Sequence, residues 1–237
     1  MKYRALACDY DGTLAHDGVV TPSTAAAVER FRASGRHLYM VTGRELPQLQ
    51  QVCPILDRFE WVVAENGALL HQPSTNITRL LCEPASAALV ESLRRFNLNW
   101  LSVGQAVIAT IEPNEIIVLE EIRRLGLELQ VIFNKGSVMV LPSGVNKATG
   151  LAALLKEAGL NANEVVGVGD AENDHAFLEC CGVGVAVANA LPMLKERADF
   201  VTTGARGDGV SELIDLILKD DLAGIRPGFR DGRSTQL

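Results

Sequence analysis

Short apolar runs that each stop at a polar cluster recur along the chain: Ala5 to Cys8 before Asp9, Leu38 to Val41 before Thr42, Val62 to Ala64 before Glu65, and Val165 to Val168 before Gly169-Asp170. Runs of this length without alternation suit strands buried on both faces of a parallel sheet. Between them lie stretches of helical period. Ser23–Ala33 places Ala26, Ala27 and Phe31 on one side, and Lys147–Ala158 does the same with Leu151, Leu154 and Leu155. Gly35 and Gly159 stand where helix C-caps fall. Strand-helix-strand alternation at this spacing predicts an α/β fold, a doubly wound parallel sheet with right-handed crossovers.

The pattern changes between Gln72 and Pro142. Two helical segments, Pro84–Phe96 and Pro113–Leu125, mix there with strand-like Gln105–Ile111, Leu127–Phe133 and Ser137–Leu141. This predicts a smaller α+β unit over 72–142 inserted into a core formed by 1–71 and 143–223, where the α/β pattern resumes through Val183–Val187 and Phe200–Val201. The closing segment, 224–237, is poor in apolar residues and reads as a tail or linker.

Composition narrows the function classes. The 237 residues are 48% hydrophobic and 22% charged, as in a folded globular chain. A net charge of −7 opposes binding to nucleic-acid backbones. The five cysteines form no CxxC pair and their number is odd, so neither a zinc ribbon nor a complete disulfide framework is expected. No apolar stretch approaches a membrane span and the start of the chain has no signal-peptide core, so no membrane partner and a cytoplasmic location are expected. Phosphate-loop, dinucleotide-fingerprint, HExxH and GxSxG patterns are absent, which disfavours kinases, dehydrogenases and serine hydrolases.

In a doubly wound sheet, ligands bind outside the carboxyl ends of the strands. The residues there are Asp9 and Asp11, Thr42-Gly43-Arg44, Glu65-Asn66-Gly67, and Asp170 with Asn173 and Asp174. Two unit charges 4 Å apart repel by about 4 kcal/mol at an effective dielectric near 20, so converging carboxylates call for a cation. All-oxygen ligands without His or Cys favour a hard ion such as Mg²⁺ together with a phosphorylated substrate. Asp9 and Asp11, brought to one site by a bend at Gly12, can divide the work of nucleophile and proton carrier in phosphoryl transfer.

These residues give the chain its resemblance to the haloacid dehalogenase superfamily, in particular to Cof-type phosphatases with a C2-type cap between the second and third motifs. The motifs stand in order as Asp9-Tyr10-Asp11-Gly12-Thr13-Leu14, Val41-Thr42-Gly43-Arg44, Lys147, and Gly169-Asp170-Ala171-Glu172-Asn173-Asp174. Glu65-Asn66-Gly67-Ala68, Asn189-Ala190 and Asp208-Gly209-Val210 add to the likeness. The insert, about 70 residues, is similar in size to that of archaeal phosphoglycolate phosphatases. The resemblance implies Asp9 as nucleophile and metal ligand, Asp11 as general acid/base and ligand through its carbonyl, and Asp170 as carboxylate ligand, with Asn173 and Asp174 completing the metal shell. It further implies that Thr42, Gly43 and Lys147 bind the transferring phosphoryl group and that Asn66 and Asn189 contact substrate. Mg²⁺ is the implied cofactor, and a sugar phosphate or phosphoglycolate-like acid the implied substrate.

Other readings compete at several of these positions. Glu172 reads as surface charge, Arg44 as a residue near a helix start, His16 and His175 as loop histidines, Cys8 as a core thiol, and Cys180-Cys181 as buried small residues. The cap cations Arg79, Arg94, Arg95, Arg123, Arg124 and Lys135 are all candidates for a substrate carboxylate. A phosphomannomutase-like sugar phosphomutase and a non-catalytic phosphate-sensing module are the rival functions. The oligomeric state is not legible.

Overall fold

The computed structural model describes residues 1–225; the segment 226–237, which holds most of the expected tail, lies outside the described residues. The first half of the chain forms β1 (Ala5–Cys8), α1 (Pro22–Ala33), β2 (His37–Val41), α2 (Leu46–Val52), β3 (Trp61–Ala64), and the strands β4 (Leu69–Gln72) and β5 (Ile77–Leu80). There follow α3 (Ala87–Leu93), β6 (Leu101–Val103), β7 (Ile108–Ile111), α4 (Glu115–Leu125), β8 (Leu129–Asn134) and β9 (Ser137–Pro142). The chain then returns as α5 (Lys147–Ala158), β10 (Val165–Gly169), α6 (His175–Cys180), β11 (Val183–Ala186), α7 (Pro192–Arg197), β12 (Phe200–Val201) and α8 (Arg206–Asp220).

The larger sheet has eight strands in the order β12-β11-β10-β1-β2-β3-β4-β5. From β12 to β3 the pairing is parallel, and β1 sits between β10 and β2 with Cys8 level with Val168 and Met40. Every residue of β1, β10 and β11 is buried, the expected outcome for continuous apolar runs sandwiched between helices. Helix α1 packs with α8, and α5 with α6. The chain order runs outward from β1 through β2 and from β10 through β11, so the strand order reverses beside β1, where Asp9 and Asp170 emerge.

The larger sheet continues past Gln72. β4 and β5 add an antiparallel hairpin that pairs Leu69 with Leu80 and Gln72 with Ile77. β5 is an edge strand, exposed along most of its length, and so carries little of the hydrophobic signal that marks the central strands.

The smaller sheet, in the order β6-β7-β9-β8, is antiparallel throughout. Its strands show the two-residue alternation of a sheet with two different faces. Ile108 and Val140 join Leu89, Leu93, Val118 and Ile122 of α3 and α4 in one cluster. Ala109, Met139 and Leu141 gather with Val107 and with Ala68 of the larger unit. One face is thus closed by helices, while the other stands over the carboxyl edge of the larger sheet. Among the described residues no helix is long and apolar enough to cross a membrane.

Candidate active site

Asp9 is the first residue beyond β1 and Asp170 the first beyond β10, so parallel pairing alone brings them to one edge. Asp174 follows one turn later, and its Oδ2 accepts the backbone N–H groups of Asp170 at 2.8 Å and Ala171 at 2.9 Å, which closes the loop. Carboxylate oxygens of Asp9, Asp170 and Asp174 all lie within 4.8 Å of one another, and the three residues are buried.

Lys147 opens α5, whose N-cap Asn146 accepts the backbone N–H groups of Ala148 and Thr149. A cation at the positive end of a helix dipole is unfavourable alone. Here it is offset by two anions: Lys147 Nζ donates to Asp9 Oδ1 at 2.6 Å and to Asp174 Oδ1 at 2.5 Å. Burial, with Asp174 alongside, pushes the Asp9 carboxyl up to about 8 although Lys147 opposes the rise. Burial also works against the Lys147 ammonium, but Asp174 and Asp9 outweigh it and hold its pKa above the ordinary lysine value. Asp170 is raised by burial as well, with Lys135 pulling the other way.

This donor set fits a hard divalent cation. Three buried carboxylates share the cluster, the nearest one resists ionisation, and the buried Oδ1 of neighbouring Asn173 has no hydrogen-bond partner. Asp11 and Asn173, the other expected ligands, have side chains that are engaged nearby, and the atom expected of Asp11 is its backbone carbonyl. The side chain of Asp11 turns to Arg44, whose Nε and Nη2 reach Asp11 Oδ2 and Oδ1 at 2.6 and 2.7 Å in a two-point fork. Asn173 donates to Asn66 Oδ1 at 3.0 Å.

The remaining candidates surround this cluster. The Thr42 hydroxyl accepts the backbone N–H of Arg44 at 3.1 Å, while Asn66 N–H donates to the Thr42 carbonyl at 2.9 Å. Gly43 lies against Asn173 and Met139, where a Cβ would sit 3.5 Å from each. Asn189 supports the first loop from behind, donating to the Gly12 carbonyl at 2.8 Å and to Asp170 Oδ2 at 3.2 Å. Gly12 itself has φ +82°, and a side chain there would press on Lys135 Nζ, 2.7 Å from an ideal Cβ.

Asp9, Asp11, Gly43, Arg44 and Asn173 open on a cavity of about 340 Å³ whose far wall is Trp100, Val107, Ala109, Lys135 and Met139 from the smaller sheet and its approaches. Of the six cap cations only Lys135 lines this cavity. It sits at the β8–β9 turn and ion-pairs with Asp170. Arg79 pairs instead with Glu157, Arg95 with Glu91 and Arg124 with Glu121.

Sequence reasoning undervalued Arg44 and Glu65. Glu65 is wholly buried after β3, and its carboxylate accepts the backbone N–H groups of Gln105, Ala106 and Val107 at 2.9, 2.8 and 3.1 Å. It therefore fastens the smaller unit to the larger. Gly104 is required beside it, since a Cβ there would stand 2.7 Å from the carboxyl group. The available signal was its position: Glu65, like Asp9 and Asp170, directly ends a buried apolar run. Cys8, Cys53 and Cys181 are buried, whereas Cys180, expected to be buried, is exposed because it lies at the C-terminal end of α6. His175 opens α6 rather than sitting in a loop.

The family model of haloacid dehalogenase-like hydrolases matches residues 6–122 and 122–214. The chain is 31% identical over 222 residues to phosphoglycolate phosphatase 2 of Saccharolobus solfataricus, covering 90% of this chain and 91% of that protein. It is also 27% identical to 5-amino-6-(5-phospho-D-ribitylamino)uracil phosphatase YcsE of Bacillus subtilis, covering 89% of this chain and 94% of the relative. A solved haloacid dehalogenase-like hydrolase from Bacteroides thetaiotaomicron shares the fold with a TM-score of 0.75 at 21% identity, covering 91% of this chain and all of that one. The protein belongs to the haloacid dehalogenase-like hydrolases. Within that family it is a phosphatase.

Proposed function

We propose that the protein is a magnesium-dependent phosphomonoesterase that acts on a small phosphorylated metabolite, a sugar phosphate or phosphoglycolate-like acid, through a phosphoryl group carried on Asp9. The observation that carries this reading is the buried arrangement of Asp9, Lys147 and Asp174 opening on a cavity that also holds Asp11. In the first step the Asp9 carboxylate attacks phosphorus, the ester P–O bond breaks, and Asp11 gives its proton to the departing alkoxide. In the second, Asp11 takes a proton from water as that water attacks phosphorus, releasing phosphate and restoring Asp9.

The chain's own groups support both steps. Lys147 opposes the effect of burial by favouring the ionised form of Asp9, and it offsets charge on the transferring phosphoryl oxygens. The Thr42 hydroxyl accepts from Arg44 and so retains its proton to donate to a phosphoryl oxygen. The Arg44 fork sets the orientation of Asp11. Gly43, Asn66 and Asn189 shape the loops against which substrate lies. Mg²⁺ held by Asp9, Asp170 and Asp174, with the Asp11 carbonyl and Asn173 in support, would supply positive charge to the phosphoryl group.

In this reading the insert over 72–142 first completes the β4–β5 hairpin, which extends the core's sheet, and then forms a cap on a core of 1–71 and 143–223. Closure of the cap would exclude bulk water from the cavity. The free thiols of Cys8, Cys53, Cys82 and Cys180 suit a reducing cytoplasm. The test is phosphate release from a panel of phosphorylated metabolites with Mg²⁺ and with EDTA. Metal-dependent release that Asp9→Asn abolishes supports the reading, and absence of release from every ester contradicts it.

A further inference from the structure

The cavity wall carries two polar groupings of different character. On the cavity wall beside the reacting carboxylates stand two cations, both engaged: Arg44 forks onto Asp11, and Lys135 pairs with Asp170 close above Gly12. Among the described residues no third cation lines the cavity. The second grouping forms where core meets cap. Glu45, the N-cap residue of α2, accepts the hydroxyl of Ser102 on β6, and Ser102 Oγ accepts Gln48 Nε2 at 3.2 Å. Glu45 and Gln48 line the cavity, as does Trp100, which is 42% exposed.

Resting on the phosphatase reading above, we propose that Glu45 is a specificity-determining residue that selects an uncharged, hydroxyl-bearing leaving group, a polyol or sugar phosphate, over phosphorylated carboxylic acids. An ionised carboxylate only accepts hydrogen bonds, so it matches hydroxyl donors and repels a second carboxylate. Gln48 both donates and accepts, and serves the same hydroxyl-rich chain. The indole of Trp100 offers an apolar face to the C–H side of such a chain and a polar edge to its hydroxyls. An acidic leaving group would meet Glu45 with no unengaged cation to offset it. If Lys135 were released from Asp170, its charge would still lie beside Gly12 and the phosphoryl site. The cavity, about 340 Å³, is within the roughly 300–1,000 Å³ range of small-molecule sites and has room for more than a two-carbon acid.

The test compares kcat/KM for glucitol 6-phosphate, erythritol 4-phosphate and phosphoglycolate in the wild-type enzyme, Glu45→Gln and Gln48→Glu, all with Mg²⁺. The wild type is expected to prefer the polyol phosphates at least tenfold. Glu45→Gln should narrow that ratio at least fivefold by raising the phosphoglycolate rate, and Gln48→Glu, which adds a charge beside the first, should widen it. A wild-type preference for phosphoglycolate, or a ratio that neither variant moves, overturns the assignment of Glu45 while leaving the phosphatase reading intact. No phosphate from any of the three or from the wider panel overturns both.

Discussion

Lys147 and Asp9 form a buried ion pair at 2.6 Å in which the lysine is 1% exposed, and the same ammonium also binds Asp174. The ammonium favours the charged form of a carboxylate that burial and Asp174 push toward protonation. Replacing Lys147 by Met is expected to leave Asp9 and Asp174 facing each other without compensation. Removing one partner of a buried pair typically costs about 3–5 kcal/mol. The phosphate-release rate should fall by roughly 100-fold or more, as for other preorganised electrostatic groups. Urea unfolding and steady-state assays check this together; a variant of unchanged midpoint and near-normal rate would contradict the role.

Glu65 makes a comparable prediction for the cap. Glu65→Ala removes the acceptor for three backbone N–H groups, two of them in buried bonds. Each buried donor left unpaired costs about 1–3 kcal/mol, partly relieved by water. A loss of about 2–4 kcal/mol is expected, with amide hydrogen exchange at residues 105–107 accelerated relative to β7. Unchanged protection of those amides would show that the cap is held elsewhere.

Arg44 tests whether the orientation of Asp11 matters. Arg44→Lys keeps the charge but loses the planar fork that grips both carboxylate oxygens. kcat should fall about tenfold with a smaller change in KM, because the defect lies in proton transfer. A change confined to KM would instead assign Arg44 to substrate binding.

Stability in acid gives a check that uses none of the catalytic carboxylates. Burial pushes Glu212 up, but the N–H groups of Gly204 and Thr203 and the Thr203 hydroxyl outweigh it, and its pKa lies below the ordinary value of 4.5. A group depressed in the folded state stabilises above its unfolded pKa and loses that contribution as pH falls through the folded one. Wild type should therefore lose more stability than Glu212→Gln between about pH 5 and pH 3, as measured by thermal melts across that range. Parallel curves for the two proteins would contradict the linkage.

How much was legible in the chain follows from where each feature gets its energy. β1, β10 and β11 are buried on both faces and so write continuous apolar runs, while α1 and α5 carry the helical period with C-terminal glycines. β5 at the sheet edge and the three-residue β6 bury too little to leave a pattern. In the site, Asp9, Asp170, Asp174 and Lys147 were legible because each sits at the end or start of a recognisable element. The links from Glu65 to Gln105, from Glu45 to Ser102 and from Lys135 to Asp170 were not. They join residues 40, 57 and 35 positions apart through the docking of one unit on the other, and local pattern carries no trace of that docking.

The central claim is that Asp9 carries the phosphoryl group. The most direct measurement is acid quenching during turnover with Mg²⁺ and a cleaved phosphomonoester, followed by borohydride reduction and peptide mass spectrometry. Reduction converts an acyl phosphate on an aspartate to an alcohol and leaves free carboxylates untouched. The account predicts the alcohol at position 9, only when substrate is present, and no phosphate release by Asp9→Asn. Phosphate release with the Asp9 peptide unmodified at every quench time, together with wild-type turnover by Asp9→Asn, would contradict it.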